Sequence, residues 1–297
     1  MFKLIKLIPI ETHFNTMKYN KIFISIAVIL SMLSIYFLFT KPLNYGIDFS
    51  GGILMEIKTP TVANIEKIRS DLKEFSPEIQ SQGTSGDIIS IHLPQGQKNE
   101  TEITQMLTEV KTILGDKMEY RNTQIVGPKV GADLIKNGTI AVLLSILIIS
   151  IYIWIRFELP FAIGTGLSLT HDIILALGML SITGLEFNLT TLASLLTLAG
   201  YSINDTVVIY DRIRENLKRY KNKELKDIIN LSINETFSRT LLTGFTTIFA
   251  VLAIFIFGGE VLKSFSAVML FGIIIGTYSS MLLSTSSLLM FQKNQIK

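Results

Sequence analysis

An all-α membrane bundle of six helices, with one small α+β domain set outside it, is the fold class this sequence predicts. Three observations carry that expectation. Of 297 residues, 48% are hydrophobic and only 17% charged, which is too apolar for one ordinary soluble domain. Six stretches stay apolar over the roughly 20 residues a helix needs to cross hydrocarbon: residues 21–40, 138–155, 159–182, 189–210, 239–257 and 264–291. Between the first two lies a long, mostly polar segment, 41–137, whose short alternating runs are unlike the spans.

The first span follows Lys18 and Lys21 and so has the charged start of a signal peptide. Its apolar run is too long for one and no small-residue cleavage site follows, so it reads as an uncleaved anchor. Orientation comes from the bases near the helix ends. Lys3, Lys6, Lys18 and Lys21 precede the first span, and Arg212, Arg214, Lys218, Arg219, Lys221, Lys223 and Lys226 fill the connection after the fourth. Residues 1–20, 211–238 and 292–297 are therefore expected in the cytoplasm, with 41–137 on the outer side. The sixth span is long enough to tilt.

Within the outer segment, 53–59 reads as a strand, 61–75 as an amphipathic helix, 78–82 and 86–93 as strands, 100–114 as a second helix and 118–126 as a last strand. Strand, helix, strand, strand, helix, strand is the ferredoxin-like split βαβ order. The motif YGIDFSGG (45–52) joins the first span to this domain. Gly46, Gly51 and Gly52, with Asp48 among them, suggest a tight structural bend. No helix of the phosphate-binding kind follows, and the GK[ST] ending is absent. A domain with open sheet edges and no pocket signature suits holding another chain better than chemistry.

Composition excludes several classes. The net charge is only +3 and the bases sit where membrane flanks need them, so no nucleic-acid footprint is expected. There is no cysteine, hence no structural disulfide or thiolate metal site. His13, His92 and His171 are scattered, without metal-ligand spacing, and His92 beside Pro94 reads as a turn histidine. No nucleophile elbow, carboxylate pair or Walker loop is present, so neither an enzyme nor a cofactor is expected.

The informative residues lie inside the spans. Asp205 stands in the fourth, about 9 Å from its cytosolic end at 1.5 Å per residue. A charge at such depth costs roughly 2.5–3.5 kcal/mol on insertion scales and marks ion or proton paths. Thr190, Ser194, Thr197, Tyr201 and Asn204 or Asp205 recur at three- or four-residue steps, a face expected to look into the bundle. Thr165, Ser168 and Asp172 form a similar row on the third span, and Arg239, Thr243 and Thr247 on the fifth. Asp205 and Arg239 belong to antiparallel neighbours and are expected to pair. Pairing favours the ionised carboxylate and desolvation the neutral one, so water access tips the balance. Against this, Arg239 is near enough to the boundary to snorkel, and Asp172 with His171 reads equally as a hydrogen-bonding tie between helices.

YGIDFSGG after the first span, GPKVGADLIKNG (127–138) before the second, THD (170–172) in the third and GYSINDTVVIYDRIREN (200–216) closing the fourth together resemble the SecD/SecF family of protein-export membrane proteins, on its SecF side. The resemblance implies a subunit of the bacterial Sec translocase, related to the resistance-nodulation-division (RND) transporters. It would form half of an RND-type transmembrane domain in the cytoplasmic (inner) membrane, with both termini cytoplasmic. It implies SecD and YajC as partners beside the SecYEG channel, membrane lipids around it, and a translocating preprotein as cargo. It also implies use of the proton-motive force after the motor ATPase SecA has acted, with Asp205, Arg239 and Thr243 along the proton path and Asp172 and Asn204 as secondary intramembrane polar residues. Half of an RND-type exporter of small molecules or lipids is the alternative.

Overall fold

The computed structural model describes residues 12–82, 86–94, 100–115 and 118–292. A 3-10 turn, Thr16–Tyr19, leads into α1 (Asn20–Thr40). The outer domain runs through β1 (Asn44–Tyr45), α2 (Ile47–Ser50), β2 (Gly52–Lys58), α3 (Ile65–Asp71), β3 (Glu78–Gln82), β4 (Ile88–Leu93), α4 (Glu100–Leu114) and β5 (Glu119–Val126). The chain then returns through α5 (Pro128–Arg156), α6 (Leu159–Thr183), β6 (Glu186–Phe187), α7 (Leu189–Arg219), α8 (Leu225–Phe257) and α9 (Lys263–Tyr278). A π-helical turn, Ser279–Leu283, joins α9 to α10 (Ser284–Gln292).

Among the described residues, six helical stretches are long and apolar enough to cross a membrane: α1, α5, α6, α7, α8 and the joined α9–α10. They do not share burial equally. The apolar windows of α6 and α9–α10 are 61% and 56% buried within the chain, against 11% for α1 and for α5. The former, with α7, form an inner layer, and α1, α5 and α8 turn large apolar side chains outward to lipid. Small residues let the layers close. Gly178 of α6 meets Ser34 of α1 with no room for a side chain, and Gly272 of α9 receives Leu198 of α7.

The outer domain is the ferredoxin-like arrangement its strand order implies. Its sheet is antiparallel in the order β3-β4-β2-β5. Alternation sets the core: Ile53, Met55 and Ile57 of β2 lie opposite Leu93, Ile91 and Ile89 of β4, all six fully buried. Ile68 and Leu72 from the α3 region and Ile103, Met106 and Val110 from α4 cover that face. The first helix starts at Ile65, not at residue 61. Thr59 and Ala63 donate backbone N–H bonds to Asp87 and Gly86 (2.7 and 2.9 Å), which holds 59–63 in a bend outside the helix. Asn64 then caps the helix by accepting from Lys67 N–H at 3.0 Å.

α7 and α8 run to 31 and 33 residues. At 1.5 Å per residue they are about 46 and 50 Å long, well beyond a hydrocarbon core of about 30 Å. Residues 211–238, expected as a loop, are mostly the projecting ends of these helices, with only 220–224 between them. The N-terminal segment packs on that projection: Phe14 and Met17 donate backbone N–H bonds to Asn234 and Asn230 (2.8 and 2.9 Å), and Met17 is fully buried. The N-terminal segment and the α7–α8 turn thus share one side, and the outer domain lies on the other with the α6–α7 turn.

Candidate functional site

Two polar centres occupy the inner layer, one around each intramembrane acid. Asp172 of α6 is 2% exposed and fully engaged. Its Oδ2 accepts from Ser202 Oγ of α7 and Ser279 Oγ of the π turn, both at 2.8 Å, and its Oδ1 lies 3.1 Å from His171 Nδ1. Thr206 donates to Ser280 Oγ, which in turn donates to the Ser202 carbonyl, both at 3.0 Å. Three helices are knotted together here, and the π turn is what brings Ser279 and Ser280 to the acid. Ser202, Thr206, Ser279 and Ser280 were not singled out from the sequence. The hydroxyl-rich run SSMLLSTSS (279–287) was the available signal.

Asp205 is the opposite case. It is 3% exposed, yet its Oδ2 has no hydrogen-bond partner among the described residues. Tyr201 lies one turn earlier on the same face, its hydroxyl close against Gly244 of α8. Arg239 does not close an ion pair with it: the cation acts on Asp205 at longer range, beyond the 4.0 Å of a salt bridge. Because α8 begins at Leu225, Arg239 sits inside the helix, and its side chain is exposed. The Thr243 hydroxyl donates to the Arg239 carbonyl at 3.0 Å. The polar row on α7 also splits. Ser194 and Asp205 face inward, whereas Thr197 and Asn204 are exposed, so part of that face looks out of the chain.

Asn204 and Arg239 open into a polar cavity of about 690 Å³ between α7 and α8, lined further by Asp211, Arg212, Glu215 and Glu235. At its rim, Arg212 donates to Glu235 and Glu215 (2.7 and 2.6 Å), and Asn216 Nδ2 donates to Glu235 at 2.6 Å. Asn204 and Arg239 set this cavity beside the turn of α7 that carries Asp205, without Asp205 itself lining it.

The glycine motif lies at the opposite end of α7. Gly51 and Gly52 have φ of 69° and 121°, a region that favours glycine. β1 pairs in parallel with β6, and Asp48 Oδ2 accepts the Leu189 N–H at 2.9 Å. Gly46 lies against Glu186 and Asn188, so a Cβ there would force the Glu186 carboxylate to move and would press on Asn188 Cβ. His92 is not a free turn residue, because its Nε2 contacts the Gly51 carbonyl at 3.1 Å. Burial pushes the Glu186 carboxyl above its ordinary range, Asp48 adds to that push, and His92 opposes it.

Six membrane-spanning helices, a buried acid with one oxygen unpartnered beside a polar cavity, and a ferredoxin-like domain outside define a multi-pass membrane protein of the transport class. Two family descriptions match: Protein export membrane protein SecD/SecF, C-terminal, over residues 105–294, and SecD/SecF GG Motif over 36–59. The protein translocase subunit SecF of Rickettsia felis is 45% identical over 294 residues, covering 97% of this chain and 94% of its own length. That of Rickettsia bellii is 44% identical over 300 residues, covering 99% and 98%. The crystal structure of SecDF, a translocon-associated membrane protein from Thermus thermophilus, overlays with a TM-score of 0.84 at 32% identity. That match covers 97% of this chain but spans only 40% of the SecDF chain. SecDF in its super-membrane-facing form overlays at 0.71, also at 32% identity. The chain belongs to the SecD/SecF family of protein export membrane proteins, on its SecF branch, and serves the Sec translocase.

Proposed function

We propose that this chain couples the proton-motive force to the outward movement of preproteins, acting with SecD, and with YajC, beside the SecYEG channel in the bacterial cytoplasmic membrane. Both termini then lie in the cytoplasm and the ferredoxin-like domain outside. The observation that carries the reading is the state of Asp205: buried, one oxygen unpartnered, an arginine within electrostatic reach but not bound. Such an acid is free to change protonation without first breaking an ion pair. The exposed Thr197 and Asn204 supply the second support, because polar side chains on a membrane helix need a further surface against them. A SecD-type half bundle is that surface, as the match to 40% of a SecDF chain suggests.

In this cycle Asp205 takes a proton from the outer side and releases it through the cavity beside Arg239, with Thr243 on the same path. Each state favours a different packing of α6, α7 and α8, and hence another pose of the outer domain. One charge crossing 100 mV is worth about 2.3 kcal/mol, enough to bias a two-state swing more than tenfold. The two SecDF forms, unlike in overlay at equal identity, support a region with more than one arrangement. The test is Asp205→Asn in vesicles holding the complete translocase. Preprotein release should lose its dependence on the proton gradient while the complex still assembles, and unchanged gradient-driven release would remove Asp205 from the path.

A further inference from the structure

The motif at 45–52 is bonded at both ends to something that matters. α7 runs without interruption from Leu189 to Arg219, so Asp205 stands sixteen residues, about 24 Å, from its first turn. A tilt or axial shift of α7 as one rod therefore carries from Asp205 to Leu189. There the chain is held from outside by several bonds. Asp48 accepts from Leu189 N–H at 2.9 Å, Gly46 N–H donates to the Phe187 carbonyl at 2.9 Å, and Asn44 Nδ2 donates to the Gly184 carbonyl at 3.0 Å. Phe49 stacks on Phe187 with centroids 5.1 Å apart. The same few residues then enter β2, an inner strand of the four-stranded sheet, while His92 of β4 grips the Gly51 carbonyl.

We propose that Asp48, with the β1–β6 ribbon, is the transmission that carries a change at Asp205 to the outer domain, Asp48 acting as a positioning residue on the first turn of α7. The inference rests on the reading of Asp205 as the proton site. Two features single out Asp48. It is the one side chain of the motif that accepts from the α7 backbone among the described hydrogen bonds, and a carboxylate at a helix N-terminus is held by the dipole as well as by the N–H. Delivery to an inner strand moves the sheet as a body. Gly131 of α5 packs against the Phe49 carbonyl with no room for a side chain, so the segment is also seated on α5.

The chain has no cysteine, so a pair of spin labels is readily placed. Glu109→Cys on α4 and Val261→Cys between α8 and α9 are both at exposed positions, one on the domain and one on the bundle. The distance distribution is measured in the full chain reconstituted with its SecD partner, with and without Asp205→Asn as a fixed mimic of the protonated acid. The parent should show a shift caused by Asp205→Asn. Asp48→Ala should lose that shift, and Asp48→Asn, whose amide oxygen still accepts, should keep it. Should Asp48→Ala fail to fold, Leu189→Pro removes the donor instead. Proline is welcome at a first helical position, and Asn188 before it is already extended at φ −124° and ψ −175°. An unchanged shift in Asp48→Ala or Leu189→Pro overturns the transmission and leaves the proton reading standing. No shift from Asp205→Asn in the parent overturns the proton reading and this inference with it.

Discussion

Asp172 and Asp205 are chemically identical, equally buried and placed on adjacent inner helices, yet the fold treats them in opposite ways. Asp172 has three polar partners turned towards it, two serine hydroxyls and a histidine nitrogen, with a π turn where they meet. Asp205 has been given burial, an unbound oxygen and an arginine that stops short. Partnering makes the first acid a fastener of α6, α7 and α9–α10. Its absence leaves the second able to respond. In a membrane, where water does not satisfy what the protein leaves open, this difference is what the proposed proton role of Asp205 rests on.

The largest effect expected from testing that contrast is on stability at Asp172. Asp172→Ala removes the 2.8 Å acceptor shared by Ser202 and Ser279, leaving only their longer contacts to Ser280 Oγ (3.4 Å) and the Gly276 carbonyl (3.2 Å), and should lower the unfolding free energy in detergent by about 1–3 kcal/mol. Asp172→Asn retains an acceptor and should cost less. Asp205→Asn has the inverse signature. It replaces an unpartnered acid, so stability should hold or rise by up to about 1 kcal/mol, although gradient-driven release is lost. Denaturant melts of the three variants decide the matter, and a fall for Asp205→Asn equal to that for Asp172→Ala would erase the contrast.

Asp205 was legible in the sequence because depth in an apolar run is a local property. So were the six spans and the βαββαβ order, each written in periodicity over a dozen or so residues. The Asp172 knot was not, because its serines come from α7 and the π turn, up to 107 residues away, and hydroxyls in a span read as ordinary packing. The expected Asp205–Arg239 pair followed from antiparallel neighbours alone. Spacing along two helices does not fix their rotation, and Arg239 turns towards the polar cavity instead. The bend at 45–52 was recognised, but its contacts lie some 140 residues on, at the α6–α7 turn. Charges in 211–238 suggested a loop. In the folded chain those charges meet across two helices.

A smaller effect belongs to that meeting point and sharpens the contrast from the other side of Asp205. Arg212 and Glu235 form a partly exposed pair, their side chains 31% and 27% accessible, with Asn216 on the same carboxylate. Solvent screening limits such a pair. A double-mutant cycle on Arg212→Ala and Glu235→Ala should return a coupling of about 0.5–1 kcal/mol, reduced by salt. If the clasp also sets the α7–α8 spacing beside Asp205, restoring it as Arg212→Glu with Glu235→Arg should recover gradient-driven release that either single change weakens. Recovery of stability without recovery of release would confine the clasp to a structural role.

The smallest effect is the pH response of a third acid, intermediate between the other two. Glu186 is half-buried at the junction, pressed on Gly46, with Asp48 and His92 as its charged neighbours and Glu78 beside His92 at 3.9 Å. Its carboxyl is raised by desolvation first and by Asp48 second, so the docked junction binds a proton more tightly than the undocked one. A raised acid contributes stability that is fully present below its ordinary value of 4.5 and is lost as pH rises through the raised value. The junction should therefore protect the amides of Gly46 and Leu189 from hydrogen exchange better at pH 4.5 than at pH 7.5, once intrinsic exchange is corrected. Glu186→Gln should flatten that dependence at the protected level. His92→Gln removes the group that opposes the rise, so it should carry the loss of protection to higher pH. A parent junction equally protected across the range would mean that Glu186 is held as firmly as Asp172, and that the outer end of α7 is fixed where the inner acid is free.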